Sequence, residues 1–191
     1  MYRHIDLKKE HLDFLMEHGQ IHSFKRGEYY ISTQETKQRW CILLEGLIAF
    51  EVLGPRNQIV IERIGLAGQY FSGTKHIYST HGEGTAVHFL RASIVYEIRN
   101  KDLQEGINSY PEISQLYHIL KQHQLDIVKV FLRIHKLERN ARLSYLYWQF
   151  PELWQQLTIR QLCSLLDFTN TKQYYRALAA YYRQEQRRKK A

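Results

Sequence analysis

The sequence predicts an α+β protein: an antiparallel β-rich part built as a barrel, roll or sandwich, then one long helix, then a small helical domain ending in a helix-turn-helix. Three observations predict it. Between Ile21 and Glu97, short apolar runs rich in β-branched and aromatic residues are punctuated by glycines at 27, 46, 54, 65, 68, 73, 82 and 84, the texture of short strands joined by turns. From Ile113 to Leu137 the seam positions recur in steps of three and four. After Thr158, two short amphipathic segments flank a four-residue break, Asp167-Phe168-Thr169-Asn170.

The bulk properties bound the function. A chain of 191 residues with 44% hydrophobic and 13% aromatic content can bury a core, as one large domain or as a medium domain plus a small one. No apolar run reaches the roughly 18 residues of a membrane-spanning helix. The start, Met1-Tyr2-Arg3-His4-Ile5-Asp6, lacks the apolar stretch of a secretory signal, so a cytoplasmic location is expected. Cys41 and Cys163 lie far apart in apolar surroundings and read as buried reduced thiols; two cysteines alone do not make a Cys-ligated iron-sulfur site. The 27 Lys and Arg exceed the 19 Asp and Glu, for a net charge of +8. Leu157 to Ala191 hold eight basic and two acidic residues, so this segment carries +6 of the +8, and a polyanion is the implied partner.

The elements follow in order. Ile5 to Glu17 fits a short helix closed by Gly19 as a C-terminal cap. Candidate strands are Ser23-Phe24, Tyr29–Ile31, Trp40–Leu44, Leu47–Leu53, Gln58–Ile64, Gly84–Phe89 and Ser93–Ile98, with Gly54-Pro55-Arg56-Asn57 as a hairpin turn. Pro111-Glu112 then opens a helix whose seam is Ile113, Leu116, Leu120, His123, Ile127, Val130, Ile134 and Leu137. At ~1.5 Å per residue it runs about 37 Å. A narrow seam kept this long suits self-pairing, so Leu116, Leu120, His123, Ile127, Val130 and Ile134 are the expected homodimer interface. An ordinary amphipathic helix lying on its own core is the alternative. His123 reads as a packed or paired histidine rather than a metal ligand. Three helices follow, near 140–150, 158–166 and 170–187, which divides the chain into a roll (1–110), a dimerisation helix (111–138) and a helix-turn-helix domain (139–191).

In the first helix of the pair, Thr158 is a plausible N-cap, and Ile159, Leu162, Leu165 and Leu166 share a face. In the second, Lys172, Arg176, Ala179 and Arg183 fall within about 60° of one another at 100° per residue. Tyr174, Ala177, Leu178, Tyr181 and Tyr182 gather opposite. One face packs and the other presents cations, which is the geometry that enters a major groove of double-stranded DNA. Thr171, Lys172, Gln173 and Arg176 stand where base edges are reached, Arg matching guanine and Gln matching adenine. Arg183, Arg187, Arg188 and the tail to Lys190 suit phosphates. A solvated helix face with a basic tail is the plain alternative for any one of these charges.

Taken together, the chain resembles the Crp/Fnr family of transcription regulators along nearly its whole length. Phe24-Lys25-Arg26-Gly27-Glu28 followed by Trp40-Cys41-Ile42-Leu43-Leu44-Glu45-Gly46 is similar to the opening of that family's cyclic-nucleotide-binding β-roll. Ala141 to Leu146, Phe150-Pro151-Glu152-Leu153 and Leu157 to Leu178 look like the start of its DNA-binding domain. The resemblance implies a dimeric, DNA-binding, non-enzymatic regulator with no catalytic residues and no cofactor. Three departures qualify it. The family's cyclic AMP cassette carries Gly-Glu near its start and Arg-Ser or Arg-Thr near its end, whereas Gly73-Thr74 and Gly84-Thr85-Ala86 stand here. A buried cyclic phosphate would meet no cation, so cyclic AMP binding is not expected. The turn between the last two helices is one residue longer than usual and lacks its common glycine, and no strands for a C-terminal wing follow.

The roll interior, if open, takes an unidentified small-molecule effector at Tyr70, Phe71, Gly73, Thr74, Gly84 and Thr85. Around them His76, Tyr78, His81, Glu83 and His88 make the stretch rich in imidazole and aromatic groups. His81, Glu83 and His88 also resemble cupin ligands, which keeps open a second reading: a metal- or ligand-binding barrel whose basic helix docks another partner. The loose spacing favours ordinary loop histidines, and no metal site is expected. No catalytic triad, Walker loop or Gly-x-Gly-x-x-Gly is present.

Overall fold

A computed structural model describes residues 7–55 and 57–188; Ile5, Arg56, Lys189 and Lys190 lie outside the described residues. The chain divides into two compact units, one of residues 1–59 and 64–126 and the other of 60–63 and 127–191.

In the first unit α1 (Lys9–His18) leads into eight strands: β1 (Gly19–Phe24), β2 (Tyr29–Ile31), β3 (Arg39–Glu45), β4 (Leu47–Leu53), β5 (Ile59–Leu66), β6 (Tyr70–Ser72), β7 (Ala86–Phe89) and β8 (Ser93–Arg99). They form two four-stranded sheets, ordered β1-β8-β3-β6 and β2-β7-β4-β5, and the register of β1 with β8, β3 with β6 and β8, and β7 with β2 and β4 is antiparallel throughout. The expected antiparallel roll is therefore the observed one. Gly46 joins β3 to β4 at φ +105°, and a Cβ there would strike the Ser93 hydroxyl, so the hairpin needs glycine on both counts. Gly19 ends α1 differently from the expected left-handed cap. Its backbone is extended and opens β1, and the position takes glycine because the Tyr96 ring occupies the space where a Cβ would stand.

Side chains alternate across each strand, so the apolar positions of both sheets meet between them. Tyr30, Cys41, Leu43, Phe50, Phe71, Val87, Phe89 and Val95 make that core, with Phe24 stacked on Phe89 at 4.3 Å between ring centroids. The other face of the first sheet holds Trp40, Tyr96 and Ile98. These pack with Leu103 of α2 (Asn100–Ser109) and with Ile113 and Leu120 of α3 (Pro111–Lys136). Helix α2 is an element that sequence reading did not find. The boundary between the two units falls within α3, after Asp126.

Burial pushes the ionisation of several inner hydroxyls and one thiol upward. Tyr30, Tyr96 and the Cys41 thiol are all raised, chiefly by desolvation. In the unfolded chain the tyrosines ionise near 10.0, so their contribution is complete below that pH and is lost as the pH climbs toward the raised folded values. Alkaline unfolding is the expected result: circular dichroism is flat to about pH 10 and then falls, with part of the tyrosinate absorbance rising together with unfolding rather than before it. Complete tyrosinate formation in a chain that still gives a folded spectrum contradicts this.

The second unit contains the end of α3, then α4 (Arg139–Gln149), a 3-10 turn (Pro151–Leu153), α5 (Ile159–Leu165) and α6 (Thr171–Arg188). Its core is Leu143, Leu146, Leu153, Leu162, Leu165, Leu166 and Ala177, with Phe131 stacked on Phe150 at 5.5 Å. Arg142, itself buried, fastens two helix ends. Its guanidinium donates to the carbonyls of His135 (3.0 Å) and Leu137 (3.1 Å) at the close of α3 and of Leu166 (2.7 Å) at the close of α5. These carbonyls have no intrahelical partner, and a planar cation supplies several donors at once.

Candidate nucleic-acid interface

Helix α5 begins where the sequence places it. The Thr158 hydroxyl accepts from the Gln161 N–H at 3.2 Å, and the Gln161 side chain accepts from the Thr158 N–H at 2.8 Å, a reciprocal capping box. After Leu165 the chain turns through Asp167, whose φ of +54° is left-handed. Asp tolerates that region better than most side chains, which is how the turn closes without glycine. The Phe168 N–H reaches back to the Cys163 carbonyl at 2.9 Å. Asn170 then starts α6 by accepting from the Gln173 N–H at 3.2 Å.

Helix α6 has two faces. Tyr174 and Ala177 are buried among α4 and α5, and Leu178 and Tyr181 are half-buried. Trp154 anchors the packed side through Tyr181 at 5.5 Å and Tyr147 at 4.6 Å. Thr171, Lys172, Arg176, Ala179, Arg183 and Arg187 are all exposed on the helix. At 100° per residue, Lys172, Arg176, Ala179 and Arg183 form one stripe. From Lys172 to Arg183 it runs about 16 Å along the axis at ~1.5 Å per residue.

Three residues behave differently from the sequence expectation. The Gln173 carbonyl oxygen accepts from the Thr169 N–H at 3.0 Å, so this side chain serves the helix start and keeps only its amide N–H groups for another partner. Arg188 stands away from the cationic stripe, pairs with Glu185 at 3.3 Å and lines a cavity with Ser144, Tyr147 and Trp148 of α4. Tyr182, placed on the packed side by the helical wheel, is 49% exposed. Sequence reasoning also passed over Tyr175, which is 55% exposed and flanks Lys172 and Arg176. Its wheel angle was the available signal: residue 175 falls about 60° from residue 172.

The expected dimer residues separate by environment. Leu120 is buried in the roll unit and Ile134 in the helical unit, so both belong to the chain's own cores. Leu116, His123, Ile127 and Val130 are half-buried, while Leu125 and Leu132 are exposed.

The expected effector residues are likewise dispersed. Phe71 packs inside the roll, edge-on to Tyr30, and Tyr70 stacks on Trp40 at 5.5 Å. Thr74 is buried; its hydroxyl donates to the His76 carbonyl at 3.0 Å and accepts from the Asn100 amide at 2.9 Å. Gly73 is buried against the Lys37 backbone, whereas Gly84 is exposed and Thr85 half-exposed. His76, His81 and Glu83 are exposed, and His88 meets Glu51 instead of them. Among the described residues no three His, Cys, Asp or Glu side chains come together as a metal-ligating group.

No family model matches this sequence, and no curated protein is similar to it in sequence. Solved structures do share its fold. FixK2 from Bradyrhizobium japonicum superposes with a TM-score of 0.72 at 13% identity, over 87% of this chain and 86% of that one. The c-di-GMP responsive global regulator CLP of Xanthomonas campestris gives 0.69 at 11% identity, over 93% of each chain. A CRP-family transcriptional regulator from Thermus thermophilus gives 0.67 at 15% identity, over 86% of this chain and 85% of that one. Identities this low establish likeness of fold, and the arrangement they share is the one built above from the residues. The chain has the fold of the Crp/Fnr-type transcription regulators, a cyclic-nucleotide-binding-like β-roll joined by a long helix to a helix-turn-helix.

Proposed function

We propose that the chain is a sequence-specific, DNA-binding transcription regulator of the Crp/Fnr type that works as a homodimer and has no catalytic role. The observation that carries the reading is the division of α6, packed on one side through Tyr174 and Ala177 and open on the other with Lys172, Arg176 and Arg183. A basic stripe on the second helix of such a pair suits the major groove. Thr171, Lys172 and Arg176 read base edges, Gln173 contributes through its amide, and Arg183 and Arg187 neutralise phosphates. The fold likeness to solved regulators supports the same reading.

Self-association goes through α3, where Leu116, His123, Ile127 and Val130 are only half-covered and Leu125 and Leu132 are open. The organisation is an effector-like roll at 1–110, a dimerisation helix at 111–138 and a DNA-binding domain at 139–191. Among the described residues no helix is long and apolar enough to cross a membrane. Cyclic AMP is not the effector: Thr74 spends its hydroxyl on Asn100 and the His76 carbonyl, and the Gly84-Thr85-Ala86 stretch brings no cation for a phosphate.

Duplex binding tests the reading. The logarithm of the association constant should fall linearly with the logarithm of salt concentration, with a slope of roughly −0.9 per phosphate neutralised. Footprints should show half-sites about 34–36 Å apart or a multiple of that. Failure to retard any genomic fragment at low salt, or a salt-independent complex, rejects it.

A further inference from the structure

One side of the β2-β7-β4-β5 sheet carries a buried carboxylate that DNA binding leaves unused. Neighbouring residues of a strand point to opposite faces, so Glu51 turns away from the Phe50 side of the sheet and His88 away from Val87 and Phe89. Glu51 is 6% exposed. One of its oxygens accepts from the Tyr29 hydroxyl at 2.9 Å and the other lies 2.9 Å from His88 Nδ1. The Tyr29 and His88 rings stack at 4.4 Å with planes 6° apart. Beside this trio opens a cavity of about 260 Å³ lined by Tyr29, Glu51, Val52, Leu53, Ile59 and Ala86, with Ser32 and Thr33 adding two hydroxyls to its wall. Leu53 and Ile59 are exposed apolar side chains at the cavity, 56% and 60% accessible.

A carboxylate withdrawn from water costs free energy unless donors satisfy it. Tyr29 and His88 each occupy one lone-pair site, and each oxygen retains another. A largely apolar cavity with an anion and two hydroxyls in its wall matches a ligand with an apolar body and a cationic donor head. The volume lies below the ~300–1,000 Å³ of drug-sized sites, which limits the body to something like a single ring on a short chain. We propose that this cavity binds a small primary amine, its ammonium on Glu51 and beside the Tyr29 ring, its apolar part against Val52, Leu53, Ile59 and Ala86. The lining lies wholly within the roll unit, so the proposal stands or falls independently of DNA binding.

Phenethylamine is the probe, titrated into the full chain and followed by NMR, with phenylacetate as a charge-reversed molecule of the same shape. Saturable shifts at Tyr29, His88 and Ala86 are expected with the amine, and about ten-fold weaker binding of the acid, the ratio worth ~1.4 kcal/mol. Because Ile59 is on the surface, Ile59→Lys preserves the fold while setting a cation at the cavity, and the amine should bind several-fold more weakly, whereas Ile59→Glu should not weaken it. Glu51→Gln should remove the preference for amine over acid. Equal binding of the two probes, indifference to Ile59→Lys, or no saturable shift at these three residues overturns the proposal.

Discussion

Replacing Arg142 with methionine is expected to destabilise the helical unit by about 2–4 kcal/mol. Methionine matches much of the arginine stem and fills most of the same space, so packing loss is not the source. The source is the three carbonyls, of His135, Leu137 and Leu166, that lose a charged donor; the bond to Leu166 is buried, and those to His135 and Leu137 are part-buried. Each buried acceptor left without a partner costs about 1–3 kcal/mol. Because those carbonyls close α3 and α5, the loss falls on the position of α5 and the turn into α6. The Asp167 carboxylate adds little, since it is 3.4 Å from Arg142 and mostly exposed. Urea unfolding followed by Trp148 and Trp154 fluorescence measures the effect. Arg142→Lys, a cation without the planar fork, should lose an intermediate amount. A shift below about 1 kcal/mol for the methionine variant would mean that water replaces the guanidinium at all three carbonyls.

That cluster shows where sequence reading stops. The strands with turn residues on both sides were legible: Leu47–Leu53 has the predicted bounds, because Gly46 and Gly54 bracket it. Strand β6 has only three residues and pairs over only Trp40, Cys41 and Ile42, too little for an alternating pattern to register. Helix α2 was missed for a related reason. Its ten residues include a glycine and few apolar side chains, and what holds it is tertiary: Leu103 in the core and Phe14 lying where a Cβ of Gly106 would be. The seam of α3 was read correctly as a helix, but a repeat of three and four states only that one stripe is apolar. It does not say whether the chain's own core or a second chain covers that stripe. Leu120 and Ile134 have the first fate, whereas His123, Ile127 and Val130 between them are half-covered.

The proposed DNA-contact face shows the same boundary. Lys172, Arg176 and Arg183 were legible because 100° per residue converts spacing into direction. Gln173 was not, since its commitment to the Thr169 N–H depends on the path of the preceding turn. Nor was the Tyr29–Glu51–His88 trio, in which the carboxylate and imidazole are 37 residues apart and neighbours only through strand pairing. Pairing of distant strands is set by the whole sheet rather than by any local pattern.

Within α6, Arg176 and Arg183 should separate by the kind of loss they produce. Both are exposed cations on one stripe, seven residues apart, and composition treats them alike. Their positions do not. In the proposed DNA-binding reading, Arg176, one turn after Lys172, lies in the part of the helix that would enter deepest, where a guanidinium can meet both guanine acceptors. Arg183 lies two turns later, where the helix would leave the groove in that reading, and its Nε already donates to the Ala179 carbonyl at 3.3 Å. Arg176→Ala should therefore reduce discrimination between the best site and unrelated DNA by about 1–3 kcal/mol while non-specific affinity changes little. Arg183→Ala should weaken all sequences alike and lower the salt slope by about one unit. Competition titrations on specific and random duplexes at two salt concentrations measure both. If Arg176→Ala weakens every sequence equally, residue 176 is a phosphate contact. The reading head then lies nearer the start of the helix, at Thr171 and Lys172.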